Sequence, residues 1–376
     1  EYPYQSVFST SEGYFLFDGT RYPTGINTPS LINPNLTWEK STTKNLGFDF
    51  TFLQSRLTFT ADIFERKVTD ILIPGGKDYP ALIGDDDLPF ENAGILKTTG
   101  FELQAKWSDK LANGFRYSVG VALSDDKAKV VSYPSNPTNK IGDGVLYKGY
   151  TVGDIWGYVT GGILQEGDFD GVGANGKPLY HGPYFKGGQA YPGYIWYQDL
   201  DHDGVITTGL NTVDDPGDRK VIGNNAPRYR YNITANFQYK GFDLDLMFQG
   251  VGKRDYWLSS TSSYWGNGAG SWEVYNNSWT PERTDAKFPM YGSGTGSYPQ
   301  TGYLLDASYI KLKQVILGYT FPRALINKIG LEKLRLNLAA YNLFTISDMP
   351  KYYDADYLSD AYPPKRTFSV GIQVGF

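Results

Sequence analysis

Apolar and polar positions alternate with period two over many stretches of this chain, the signature of strands with one apolar and one polar face. The clearest stretch sets Tyr229, Tyr231, Ile233, Ala235, Phe237 and Tyr239 against Arg230, Asn232, Thr234, Asn236 and Gln238. Lys240-Gly241 turns it, and Phe242, Leu244, Leu246 and Phe248 continue the apolar face against Asp243, Asp245 and Gln249. Earlier in the chain, Leu46, Phe48, Phe50 and Phe52 alternate with Gly47, Asp49 and Thr51, and a turn at Gln54-Ser55-Arg56 leads into Leu57, Phe59, Ala61 and Ile63. Phe101, Leu103, Ala105 and Trp107 form a third strand, and Asn113-Gly114 turns it into Phe115, Tyr117, Val119, Val121 and Leu123. Tyr309 to Phe321 is a further strand whose phase slips near Lys313-Gln314, which predicts a bulge. Leu334, Leu336, Leu338 and Ala340 carry another. The last strand places Phe368, Val370, Ile372, Val374 and Phe376 on one face, and the sequence stops on the aromatic.

The connections alternate in length. Short turns near Ser55, Asn113 and Gly241, and a modest one at 322–330, are separated by long loops at 74–93, 125–228, 252–307 and 344–365. Residues 1–43 read as loop. Short turns at one end and long loops at the other are the build of an outer-membrane β-barrel, with short periplasmic turns and long extracellular loops. The expected fold is therefore all-β: an antiparallel transmembrane barrel of about nine strands, its final residue on the periplasmic side. Aromatics at the strand ends (Trp107, Phe115, Tyr239, Phe242, Phe321 and Phe376) sit beside the short turns, where a membrane–water girdle lies. Nine strands alone leave open edges in lipid, which cannot be sustained. The remaining strands are then expected upstream, and a start at Glu1 without Met or leader reads as the C-terminal part of a longer protein.

Composition narrows the functions. The chain has 376 residues, of which 16% are aromatic, with no Cys. Disulfide and thiolate chemistry are excluded. Two histidines, His181 and His202, are too few for a His-based catalytic or zinc centre, and the net charge of −5 argues against nucleic acid as a partner. No run of about 18 apolar residues offers a helical span.

Several stretches resemble SusC-like (SusC/RagA-type) TonB-dependent transporters of the Bacteroidetes outer membrane. They are Asn33-Pro-Asn-Leu-Thr-Trp-Glu-Lys40, Asn92-Ala-Gly-Ile-Leu-Lys-Thr-Thr-Gly-Phe-Glu-Leu103, Asp199-Leu-Asp-His-Asp-Gly-Val-Ile206 and Ile222-Gly-Asn-Asn-Ala-Pro227. Ala307-Ser-Tyr-Ile-Lys-Leu-Lys313, Leu317-Gly-Tyr-Thr-Phe-Pro322, Ala340-Tyr-Asn-Leu-Phe344 and the terminal Phe376 complete the set. The resemblance implies a 22-stranded barrel, of which this piece holds the last nine strands, with a plug domain absent from this chain. It further implies a SusD-like lipoprotein lid, energy from TonB-ExbB-ExbD through the N-terminal part, outer-membrane lipids around the wall, and uptake of an oligosaccharide or peptide. A secreted β-rich glycan-binding or glycan-degrading protein is the other class left open.

Three kinds of candidate chemistry remain. Asp199, Asp201 and Asp203 with Gly204 occupy positions 1, 3, 5 and 6 of a calcium-type loop, to which the Val205 carbonyl, Asp214 and Asp218 add oxygens. Ca²⁺ is the one expected cofactor, and position 12 carries Leu210 where an EF-hand has Glu. Aromatics crowd the long loops, and Trp156, Trp196, Tyr197, Trp257, Tyr264, Trp265 and Trp272 are candidates to meet substrate or lid, since flat rings suit sugar faces and protein interfaces. For catalysis there is no candidate. The carboxylate pairs Asp168/Asp170 and Asp243/Asp245 face no matched acid, base or nucleophile, so no enzyme is expected.

Overall fold

The computed structural model describes residues 10–17, 20–26, 32–75, 89–258, 272–293, 297–351, 353–358 and 364–376. Nine strands form one sheet, and we number them β1 to β9: β1 Lys40–Phe52, β2 Leu57–Pro74, β3 Phe90–Lys110, β4 Arg116–Ser132, β5 Arg228–Tyr239, β6 Phe242–Lys253, β7 Tyr309–Thr320, β8 Lys333–Ser347 and β9 Thr367–Gly375. Each strand pairs antiparallel with its neighbour in this order, so the sheet is a pure meander with β1 and β9 at its edges. The expected strand number is the number observed.

Register sorts the side chains. One row crosses the sheet as Phe50, Phe59, Ala105, Val121, Ile233, Phe248, Leu312 and Phe344, apolar throughout. The adjacent row on the other face reads Asp49, Thr60, Gln104, Ala122, Asn232, Gln249, Lys311 and Thr345. A one-residue slip would exchange the two faces. The apolar face is also the bare one: Val370 is 75% exposed, and Phe48, Phe50, Ile63, Leu338, Phe368 and Ile372 are exposed with it. No second large sheet packs on it among the described residues, as the core of a β-sandwich would require. An apolar face left bare at this length suits hydrocarbon rather than water.

The predicted bulge lies on β7. Leu312 opposes Phe248 and Gln314 opposes Met247, so Lys313 is the extra residue. Against β8 the surplus lies on the partner strand: Leu312 opposes Phe344 and Gln314 opposes Tyr341, so Asn342 and Leu343 share the position opposite Lys313. The extra residue keeps Lys311, Lys313 and Gln314 on the polar side while Val315 and Leu317 return to the apolar one.

Short connections lie at one end of the sheet, at 53–56, 111–115 and 240–241, with a small helix Arg323–Ile326 in the fourth. Around them the aromatic residues touch in sequence: Phe115 meets Tyr239 and Phe237 at centroid distances of 6.2 Å, Phe242 meets Tyr319 at 4.4 Å, and Tyr319 meets Phe321 at 4.9 Å. Trp107 Nε1 donates to the Tyr117 hydroxyl at 3.1 Å.

At the other end the strands outrun expectation. β3 has 21 residues and β2 has 18, where a tilted strand crosses hydrocarbon in about 9–11. The strand expected from Phe101 begins at Phe90, and the irregular segment expected from 125 begins after Ser132. These extensions carry charge on both faces, which hides the alternation. The loop expected over 1–43 also needs correction: Thr10–Phe17 and Thr20–Ile26 pair as a hairpin, and β1 starts at Lys40.

The long loops fold into a body of their own. Asp154–Tyr158 pairs with Arg219–Asn224, Thr160–Ile163 with Ile195–Tyr197, and Asp255–Tyr256 with Leu305–Asp306. The larger of two buried clusters lies here, with Tyr158, Ile195, Tyr197, Ile206, Phe288 and Tyr303 among its members, and a smaller one of Val251, Ala307, Tyr309, Met349 and Ala355 lies where the strands meet the loops. Loops this long need such a core.

Candidate functional site

On the polar face of β2 to β6, where the strands meet the loop body, there is a recess of about 620 Å³. Asp62, Glu102, Asn232, Gln249, Arg254 and Tyr309 are among the side chains that line it. Strand alternation puts Asp62, Glu102, Asn232 and Gln249 on this face, and the bulge on β7 sets the cations beside it.

Next to the recess the final long loop is pinned to the wall. Lys311, only 1% exposed, donates to Asp354 at 2.8 and 3.0 Å and to Asp356 at 3.2 Å. Lys313 reaches Asp356 at 3.0 Å, and the Tyr309 hydroxyl donates to it at 2.7 Å. Burial alone would raise the Asp356 pKa, but the Tyr309 hydroxyl, Lys313 and Lys311 outweigh it and hold the carboxyl down at about 2. A second pair, Arg228 on Asp125 at 2.5 Å through both nitrogens, anchors the start of β5 to β4. None of these groups was singled out from the sequence. The signal for them is there: two lysines at the phase slip of β7, and an Asp-x-Asp pair in the loop after β8.

The acidic loop is only partly as expected. Carboxylates of Asp199, Asp201 and Asp218 come within 4.8 Å of one another. Asp203 instead accepts from its neighbour Val205 N–H at 2.8 Å, and neither it nor Asp214 joins the group. Asp218 is fully buried and accepts from the N–H groups of Leu200 and Thr207 at 2.8 and 2.7 Å. Asp199 accepts from His202 and Gly204 N–H at 2.6 and 2.8 Å. Desolvation opposes ionisation at Asp199, yet these two donors hold its pKa below the usual carboxylate value. At Asp201 desolvation and the Asp218 and Asp203 charges prevail, and the pKa is pushed up. The donor set is all hard oxygen, which suits Ca²⁺, although each of the three carboxylates already accepts from the backbone, Asp201 from Asp203 N–H at 3.2 Å.

The aromatic candidates scatter. Tyr197 is 1% exposed and its hydroxyl accepts from Gln300 Nε2 at 3.0 Å, so it is core and meets no ligand. Trp257 packs against the same cluster. Trp156 donates to the Tyr147 hydroxyl at 2.9 Å, and Trp196 lies flat on Gly161, where an added Cβ would overlap its ring. Tyr264 and Trp265 lie outside the described residues. Trp272 alone stands out, 76% exposed, with its ring against exposed Tyr275 at 5.8 Å. Phe368 and Phe376 are exposed at the end of the apolar band.

No nucleophile and base are brought together among the described residues. Asp243 is bonded to Arg335 and Asp245 to Asn236, Asp168 accepts from Gln165 N–H at 2.7 Å, and Asp170 pairs with His181 at 3.0 Å.

Comparison with known proteins fits this geometry. The family profile described as TonB dependent receptor-like, beta-barrel, matches residues 4–343. The chain is 28% identical over its whole length to TonB-dependent receptor P3 of Formosa agariphila, covering 38% of that protein. It is 26% identical to TonB-dependent receptor SusC of Bacteroides thetaiotaomicron, covering 36% of it. The chain thus spans a little over a third of the length of these relatives. Among solved structures, the RagAB peptide transporter matches the whole chain with a TM-score of 0.73 at 18% identity, covering 38% of the matched chain. These matches are to receptors and transporters, not to enzymes.

Proposed function

Because the chain belongs to the TonB-dependent receptor-like β-barrel family, we propose that the protein carrying it is an outer-membrane importer of the SusC/RagA type, taking up an oligosaccharide or a peptide with a SusD-like lipoprotein over its loops. The observation that carries this reading is the meander itself: nine strands whose apolar rows stay in register and bare while the opposite face stays polar. The bare face is the lipid surface, and the polar face and its recess line the path of the substrate. The short-turn end, with its aromatic belt, faces the periplasm, and so does Phe376. The barrel wall turns nothing over. It shapes a wet chamber, and TonB, acting on other parts of the protein, supplies the energy. Trp272 and Tyr275, on the exposed side of the loop body, are positioned for the lid or an arriving sugar.

The test is uptake. Cells carrying the intact protein should import a labelled oligosaccharide or peptide, and a protonophore or loss of TonB should abolish that import while the protein stays in the detergent-extracted outer membrane. Recovery as a folded monomer from detergent-free buffer would overturn the reading. For the acidic loop, a calcium ion held by Asp199, Asp201 and Asp218 is part of the same proposal. Terbium luminescence that Asp201→Asn abolishes supports it, and no luminescence removes the ion from the account.

A further inference from the structure

Among the described residues, the recess on the polar face holds one cation without a counter-charge. Around it the other basic groups are matched: Arg228 with Asp125, Arg230 with Asp126, Lys311 with Asp354 and Asp356, Lys313 with Asp356. Arg254, the first residue after β6, differs. Its Nε donates to the Asn225 carbonyl at 2.9 Å, and among the described residues no carboxylate lies within ion-pair distance of its guanidinium. In the group packed about Asp356, three cations (Arg254, Lys311 and Lys313) face two carboxylates (Asp354 and Asp356), which leaves one positive charge over. The Asp356 carboxylate is near enough for Arg254 to feel it, but it already accepts from Tyr309, Lys311 and Lys313. Burial pushes the Arg254 pKa down, as expected of a desolvated cation short of a partner. An arginine remains charged at neutral pH regardless.

A half-buried charge without a partner is costly unless something completes it. Arg254 borders the open space of the recess, with Asn232, Gln249 and Tyr309 lining it too. We propose that this recess is a carboxylate subsite, in which Arg254 holds an acidic group of the imported substrate through a forked, charge-assisted pair of hydrogen bonds. Asp62 and Glu102 line the far end, on β2 and β3. From β3 to β6 is three strand spacings, roughly 14 Å. Those carboxylates repel the anion there and fix which way round it sits. A neutral substrate leaves Arg254 uncompensated and gains nothing from it.

This subsite rests on the importer reading, and its test is kept separate from it. The full-length protein, extracted in detergent, is titrated with two matched pairs: tetragalacturonate and its methyl ester, and tetra-alanine and its C-terminal amide. The charged member of at least one pair should bind about tenfold more tightly than its neutral partner. The pair that shows the preference identifies the source of the carboxylate, a uronate sugar or a peptide end. Arg254→Gln should abolish the preference, and Arg254→Lys should keep part of it. Equal binding within both pairs overturns the proposal, as does absence of binding by all four, or a preference that survives Arg254→Gln. The wild-type comparison stands even where a variant fails to fold. Outer-membrane location and heat-modifiable mobility of the same preparation report on the importer reading independently.

Discussion

At the scale of single residues, the wall is held by a few close fits. Gly250 on β6 lies under the ring of Tyr231, and a Cβ added there would overlap the ring and come within 2.5 Å of the Tyr309 carbonyl. That carbonyl accepts from the Tyr231 hydroxyl at 3.2 Å. Gly250→Val should therefore cost at least the ~1–3 kcal/mol of an overpacked core, read as a lower urea midpoint for loss of heat-modifiable mobility. Gly114 sits in a turn with open space around it but with φ of +89°. As Ala it should lose only about 1 kcal/mol, from backbone strain alone. An equal loss at both sites would contradict the packing account. Lys311 is the other sensitive position. Lys311→Met strands Asp354 and leaves Asp356 with Lys313 alone, and removing one partner of a buried pair costs about 3 kcal/mol. The final loop should then be nicked by trypsin at Lys351 much faster than in the wild type. Adding Asp354→Asn should restore protection, since Asp356 keeps Lys313. Acid should imitate the mutation. The Asp356 pKa is depressed in the folded state, so its contribution is complete above the ordinary carboxylate value near 4 and is lost as pH falls toward about 2. Amide exchange across 348–358 should rise in that window, and a flat profile would remove Asp356 from the pin.

Between elements, the chief fact is that each strand has two solvents. Val370 and Ser369 are neighbours on β9, paired with Leu338 and Ala339 on β8. Val370→Lys puts a charge in the apolar band and should cost about 2–4 kcal/mol near the bilayer midplane. Ser369→Lys, on the wet face, should be nearly silent in the same folding assay in lipid vesicles. Equal effects would mean that the face assignment is wrong. This two-sidedness is why the strands were legible in the sequence. Alternation from Leu46 to Phe52 or from Tyr229 to Tyr239 survives because lipid tolerates so few polar residues. Past the hydrocarbon that constraint lapses. β3 therefore runs back to Phe90 through Glu91, Asn92 and Lys97 with nothing in its pattern to announce it. The loops were least legible for a related reason. Tyr197 and Trp272 look alike in sequence, both aromatic in long Gly-rich segments, yet one is core and the other surface. Only the three-dimensional closure of 133–227 on 272–293 and 297–308 separates them. Arg254 and Asp356 share that limit, since their relation depends on where a distant loop lands. Tyr197→Ala should accordingly cost about 3–5 kcal/mol in the loop body, and Trp272→Ala almost none, by differential proteolysis of the loops.

For the whole molecule, the distribution of burial among the described residues is inverted relative to a water-soluble protein: the larger buried cluster is in the loops, and the apolar strand face is bare. Inversion of this kind is stable only where hydrocarbon replaces water, and there every strand edge must be paired. β1 and β9 are the edges of the nine-stranded sheet. On the reading that further strands of the protein close the wall, every second amide of β9 faces β8 and the rest face a strand outside this chain. The consequence is measurable by amide hydrogen exchange in detergent. In the full-length protein, the β9 amides that do not bond to β8 should be protected to the same degree as those that do. In residues 1–376 expressed alone, those outward amides should exchange at rates near those of an unprotected chain, or the chain should aggregate through its two edges. If the outward amides of β9 exchange freely in the full-length protein as well, the wall is not closed at this strand, and the barrel reading loses the argument that joins its nine strands to the rest.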